Sequence, residues 1–213
     1  MFETNRTDIH QTTDIDSIAA KRAKVSLLSM TESEVLLDAD GVAVRAALQD
    51  EGALLWELAR DAGGIDLNSP YAYLMQCRNF SDTCMVAEVF GTPAGFITAH
   101  RIPRRPHVLF VWQVAVLSEF RGLGIARRLL DGLIAQPVCV GVRKLEATVT
   151  PSNRASKALF SAFAKAHGAA LEFCPGFTAD AFPADARHEE ERLLTIHPIH
   201  PIDCPQRDEE LSL

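Results

Sequence analysis

The residues of this chain best placed to do chemistry centre on one turn, within FVWQVAVLSEFRGLGIARRLL at positions 110–130. An apolar run ends there in Arg121-x-x-Gly124-x-Ala126, and an amphipathic segment follows. A glycine turn that opens directly into a helix leaves backbone N–H groups and the positive end of the helix facing one point. That point suits a phosphate or pyrophosphate without a lysine. Two common phosphate loops are excluded. A Walker loop would end in Gly-Lys-Ser/Thr, whereas this one ends Gly124-Ile125-Ala126. A dinucleotide fingerprint needs a glycine three residues after Gly124, where Arg127 stands. A second chemical signal is Glu146, alone in the apolar run Leu145-Glu146-Ala147-Thr148-Val149. An unpaired carboxylate is costly to bury, so Glu146 must face a cleft or solvent.

The elements that would position these groups are legible from periodicity and punctuation. Val42–Ala47 reads as a strand. Asp50 is placed to cap a helix running to about Arg60, with Leu54, Leu55, Leu58 and Ala59 on one face and Gly63-Gly64 as its stop. Ser69-Pro70 starts a second helix, on which Tyr71, Leu74 and Met75 share a face. Cys84–Val89 and Ala94–His100 form a hairpin around Phe90-Gly91-Thr92-Pro93, and Val108–Val116 is an apolar central strand. A helix over Gly124–Ala135 buries Ala126, Leu129, Leu130 and Leu133. Lys144–Val149 is the next strand. The helix after Asn153 buries Ala155, Leu159, Ala162 and Phe163, and Ala169–Phe173 and Arg192–His197 supply the last strands. The order β-α-α-β-β-β-α-β-α-β-β describes a mixed α/β domain.

Composition narrows the function classes. The chain has 28 acidic and 21 basic residues, a net charge of −7, which disfavours nucleic acid and suits a cationic substrate. No apolar run reaches the roughly 18 residues of a membrane span, and the polar start MFETNRTDIHQTTDID lacks a signal-peptide core. A cytoplasmic protein is therefore expected. The five cysteines are scattered, without Cys-x-x-Cys, and read as free thiols in a reducing compartment. His197-Pro-Ile-His200 has no further ligands nearby, so no metal is expected.

The glycine turn after the fourth strand, followed by LEATVT and PSNRASKALF, resembles the Gcn5-related (GNAT) acetyltransferase fold. The resemblance implies a mixed central sheet flanked by helices, whose fourth and fifth strands splay to admit acetyl-coenzyme A. Val114 and Val116 would pair their main chain with its pantetheine arm, Arg121, Gly122, Gly124 and Ala126 would hold the pyrophosphate, and Asn153 would reach it from the next turn. The strings DLNSPYAYLMQC, SDTCMVAE, LFVWQVAV and LEATVTPSN are similar to the L-2,4-diaminobutyrate acetyltransferases of ectoine synthesis. The acetyltransferase domain would span 41–198, between a polar extension over 1–40 that is partly disordered and a tail over 199–213. The implied reaction transfers acetyl to the 4-amino group of diaminobutyrate, in a homodimer without metal. Transfer to another small diamine or amino acid, a protein-modifying enzyme and a non-catalytic acetyl-coenzyme A sensor are the alternatives.

Such a reaction needs a base for the ammonium, a donor for the oxyanion and an acidic anchor for the substrate. Glu146, on the strand bordering the cleft, is expected to orient the amine and accept its proton. Asp66, Tyr71, Trp112 and His188 are the expected substrate contacts, with Tyr71 also a candidate acid. Trp112 would face an ammonium or the aliphatic chain, and His188 opens the run HEEER at the cleft mouth. Many members of the superfamily carry a tyrosine at the position of Phe160, so no hydroxyl is expected there to protonate the leaving thiolate.

Overall fold

The computed structural model describes residues 41–185 and 187–199. The elements in chain order are β1 (Val42–Ala46), α1 (Gly52–Ala62), α2 (Pro70–Phe80), β2 (Cys84–Val89), β3 (Thr92–Ile102), β4 (Arg105–Val116), α3 (Ile125–Ile134), β5 (Lys144–Val149), α4 (Arg154–Ala166), β6 (Ala170–Phe177) and β7 (Glu191–His197). The strands form one seven-stranded sheet in the order β1-β2-β3-β4-β5-β7-β6. Only the β4–β5 pair is parallel. The expected order holds throughout, while the extension over 1–40 and residues 200–213, including His200 and Cys204, lie outside the described residues.

Period-two alternation divides the core between two faces. Met85, Ala87 and Val89 of β2 pack with Leu129, Leu130 and Leu133 of α3 and Phe160 and Phe163 of α4. Cys84 and Val86 pack with Leu55 and Leu58 of α1 and Tyr73 and Cys77 of α2. Burial pushes the Cys77 thiol up to about 11 and that of Cys84 to about 12, so both are inert packing groups.

The caps explain most element boundaries. The Ser69 hydroxyl accepts from Ala72 N (3.4 Å) ahead of Pro70, and Asn153 Oδ1 accepts from Ser156 N (2.9 Å). Gly63 ends α1 at φ 60°. Asp50 is not the cap expected of it. Glu51 precedes α1, accepts from Leu48 N and binds the Arg45 guanidinium, tying the helix start to β1.

Four further readings shift by a residue or two. α3 buries Ile125, leaving Ala126 half-exposed. α4 buries Phe160, Phe163 and Ala164, with Ala155 and Ala162 outside, a rotation of one residue that turns Phe160 inward. β7 begins at Glu191, not Arg192. Ile199, assigned to the tail, is buried and its N–H donates to Arg143 O, so the domain ends no earlier than this residue.

Candidate active site

The site lies where the parallel pair separates. β4 and β5 pair from Val108↔Lys144 to Val111↔Ala147, and the pairing stops there. Main-chain groups of β4 beyond Val111 therefore face a gap where a sheet would normally supply partners. On the other edge of β4 the register slips between Thr98↔Gln113 and Ala99↔Val111, so Trp112 is the extra residue of a bulge. Such a bulge bends the strand and re-aims a side chain. Trp112 emerges 42% exposed beside the gap.

A cavity of about 720 Å³ occupies the opening. Val111–Val114 and Ala147–Thr150 form its walls, Asn153, Ser156 and Phe160 its α4 side, and Ile65, Asp66 and Asn68 the opposite side. Phe177, Phe182, Arg187, His188, Glu189 and Glu191 close it. Gln113 Nε2 donates to Asp66 O (2.7 Å), which fixes the α1–α2 loop against β4. Glu189 accepts from Ser152 N and from the Ser152 hydroxyl, which fixes the closing segment to the turn before α4. Phe182 stacks on the His188 ring, with centroids 4.1 Å apart.

Asp66, His188 and Glu191 meet in this cavity, each offering an atom within 4.8 Å of the others. His188 Nε2 lies 3.2 Å from Asp66 Oδ2 and 3.9 Å from Glu191 Oε1. Its Nδ1 lies 2.7 Å from Glu189 O. That carbonyl and then Asp66 favour the imidazolium and raise the His188 pKa. Glu191 is held above the ordinary carboxylate range, first by burial and further by the charges of Asp66 and Glu189, although the Thr148 hydroxyl bond and His188 pull the other way. Its Oε2 is buried without a hydrogen-bond partner. The β6 chain passes so close that a Cβ at Gly176 would overlap the Glu191 carbonyl. A buried carboxylate oxygen without a donor is costly unless a ligand supplies one. Two carboxylates and an imidazole could hold a divalent cation or an ammonium group.

Glu146 does not reach this cavity. It shares a face of β5 with Thr148 but lies two residues toward the strand start, about 6.6 Å away. There it is buried, with Arg105 bound at 2.7 and 2.9 Å and Lys144 Nζ at 3.3 Å. Burial pushes its carboxyl up, but Arg105 and Lys144 outweigh that and leave it below the usual range. The lone carboxylate of the strand is thus paired with cations and faces neither cleft nor solvent. Tyr71 is also outside the cavity lining and 68% exposed, because Tyr73, two residues on, takes the core position of α2. Sequence reasoning missed Glu191, the fourth residue of the run HEEER. Its signal is alternation with Leu193 at the start of a strand whose other face carries the buried Leu194 and Ile196.

Among the expected cofactor contacts, Val114 and Asn153 line the cavity. Asn153 Oδ1 is occupied by its capping bond, which leaves the amide NH₂ to face a ligand. The turn Arg121–Gly124 is exposed, with Gly122 at φ 84° and Gly124 at φ 73°. A Cβ at either glycine would enter open space, the space an anion at the α3 N-terminus would occupy. The Arg121 guanidinium instead holds the turn from behind, donating to Val116 O (3.2 Å) and Ala62 O (2.7 Å).

A parallel pair opens here beside a glycine turn and a helix N-terminus, and the Acetyltransferase (GNAT) family model matches residues 52–164. An L-2,4-diaminobutyric acid acetyltransferase of Streptomyces avermitilis is 45% identical over 170 residues, 79% of this chain and 94% of that protein. One from Halalkalibacterium halodurans is 44% identical, covering 71% of this chain and 79% of that protein. Diaminobutyrate acetyltransferase EctA from Paenibacillus lautus, solved with its substrate L-2,4-diaminobutyric acid and coenzyme A, superposes with a TM-score of 0.71 at 47% identity, covering 74% of this chain and 95% of that chain. The chain belongs to the GNAT acetyltransferases and, within them, to the L-2,4-diaminobutyric acid acetyltransferase family. Among the described residues no helix is long and apolar enough to cross a membrane.

Proposed function

We propose that this protein transfers acetyl from acetyl-coenzyme A to the 4-amino group of L-2,4-diaminobutyrate, giving N4-acetyl-L-2,4-diaminobutyrate for ectoine synthesis. One observation supports the site most directly: the unpartnered Glu191 Oε2 beside Asp66, at the end of the β4–β5 gap. The substrate brings two ammonium groups to these two carboxylates, which favours an ammonium over a metal as their ligand. Acetyl-coenzyme A supplies the activated thioester. Val114 and Val116 offer main-chain groups to its pantetheine arm. The N–H groups of Gly122, Gly124 and Ala126, with the α3 N-terminus, receive its pyrophosphate, and the Asn153 amide reaches it from α4.

Glu191 takes the reactive amine's proton, a role moved to it from Glu146. Its raised pKa brings it nearer the working pH than an ordinary carboxylate. Asp66 anchors the other ammonium, His188 holds Asp66 in place, and Trp112 faces the aliphatic chain. Phe160 lines the cavity without a hydroxyl, so the thiolate leaves without a side-chain acid there; thiols, with pKa values around 8.5, permit this. We assign the working form to a homodimer in the cytoplasm. The exposed apolar face of α2, with Tyr71, Leu74 and Met75, supports the dimer.

The test is thiol release from acetyl-coenzyme A with diaminobutyrate, ornithine and lysine, with the product's acetyl position read by NMR. Diaminobutyrate should be favoured over ornithine, one methylene longer, by about 10- to 200-fold in kcat/KM. Equal use of ornithine, or acetyl on the 2-amino group, would refute the assignment.

A further inference from the structure

Two carboxylates account for the two ammonium groups of diaminobutyrate, and its own carboxylate then needs a cation. The cavity lining contains one permanent cation, Arg187. Among the described residues nothing hydrogen-bonds or ion-pairs with it. Every other charged group of the lining has a partner in the fold: Asp66 has His188, Glu189 has Ser152, and Glu191 has Thr148 and, at longer range, His188. Arg187 is also held at φ 48°, a left-handed conformation that L-residues other than glycine, asparagine and aspartate rarely adopt. A surface residue with no role could be glycine here without that strain.

We infer that Arg187 binds the α-carboxylate of the substrate and is the residue that makes this enzyme select an amino acid over a simple diamine. The inference rests on the reaction proposed above. Arg187 directly precedes His188 in the chain, so its Cα lies about 3.8 Å from that of the residue bound to Asp66. Arg187 and the anionic pair line one cavity, and their charges match those of a short molecule with ammonium and carboxylate on one carbon. A guanidinium suits the task because its fork meets both carboxylate oxygens at once.

The competing substrate is 1,3-diaminopropane, which is diaminobutyrate without the carboxylate. R187G is the informative variant, since glycine adopts φ 48° freely and the change removes the side chain without straining the backbone. With wild-type enzyme, diaminobutyrate should exceed diaminopropane in kcat/KM. In R187G the value for diaminobutyrate should fall by about 10- to 100-fold, mainly through KM, while the values for diaminopropane and acetyl-coenzyme A stay as they were. R187K, keeping the charge without the fork, should recover part of the preference. An unchanged ratio between the two substrates in R187G would overturn the inference, and so would an equal fall for both, which would mark Arg187 as a structural residue. Wild-type enzyme that ignores diaminobutyrate altogether would refute the reaction itself. Wild-type enzyme that favours diaminobutyrate while R187G keeps the same ratio would refute only the role of Arg187.

Discussion

Replacing Glu191 by glutamine should make this protein more stable and nearly inactive. Glutamine keeps the shape and still accepts the Thr148 hydroxyl bond, but it carries no charge toward Asp66 and Glu189. In the wild-type protein the Glu191 pKa is raised by burial and by those neighbours. A raised carboxyl pKa means that the folded state holds the proton more tightly than the unfolded chain. The ionised group therefore costs stability in full above its folded pKa, and the cost fades as pH falls from that value to the unfolded one of about 4.3. With a buried, unpartnered oxygen as well, the substitution should stabilise by about 1 kcal/mol at pH 7. For a domain of this size that is a rise of about 2–4 °C in Tm.

Activity should move the other way. Loss of a general base lowers kcat by about 10²- to 10⁴-fold. The acidic limb of the kcat/KM profile should shift too. In wild-type enzyme it follows a carboxylate above the ordinary range. In E191Q the amine must lose its proton to solvent, so the rate should keep climbing toward an amine pKa near ~10. The assay is thiol release over pH 5–10, paired with a thermal melt at pH 7. An E191Q enzyme with wild-type kcat and an unmoved acidic limb would refute the reasoning, whatever its Tm.

Glu146→Gln should do the converse, leaving both Michaelis constants and kcat near wild type while destabilising by about 1–3 kcal/mol, because it removes the partner of Arg105 and Lys144. Since the Glu146 pKa is depressed, its stabilisation is present above the unfolded value of about 4.3 and fades as pH falls through the folded one, so melts of the two proteins should converge in acid. Gly124→Val should abolish measurable acetyl-coenzyme A binding in a calorimetric titration of folded protein, because a branched side chain at φ 73° both strains the turn and fills the anion's space; retained affinity would place the pyrophosphate elsewhere.

Local signals in the sequence were enough to place the frame of this site. Gly124 and the Ser69-Pro70 start are each decided by a few neighbouring residues, and the structure keeps both. Which carboxylate enters the cleft is not a local matter. Glu146 and Glu191 both sit on strands beside hydrophobic neighbours, and their fates differ because β4 and β5 stay paired as far as Ala147. That register puts Glu146 beneath the paired region with Arg105, and Thr148 and Glu191 at the opening. Trp112 could be proposed as a contact from its strand alone, but the bulge that exposes it comes from a slip against β3. Tyr71 and Tyr73 show the same limit on a helix: which of two tyrosines packs inward depends on where α2 lies over β2 and β3.

The same features that made Glu191 hard to find explain why the substrate would bind there. Three separate stretches, the α1–α2 loop, the segment before β7 and β7 itself, bring Asp66, His188 and Glu191 within 4.8 Å. Gln113 and Ser152 hold the two outer stretches through bonds to the Asp66 carbonyl and the Glu189 carboxylate, so the frame holds the cluster together with the His188–Asp66 pair. Left alone, the two carboxylates repel, and Glu191 keeps an oxygen without a donor. An ammonium group relieves both defects at once, whereas a neutral amine relieves neither as well. The arrangement therefore favours the protonated substrate on entry and places beside it a carboxylate whose raised pKa brings it closer to accepting that proton. Substrate binding and amine activation draw on the same strain, which is why one substitution at Glu191 should raise stability and remove activity together.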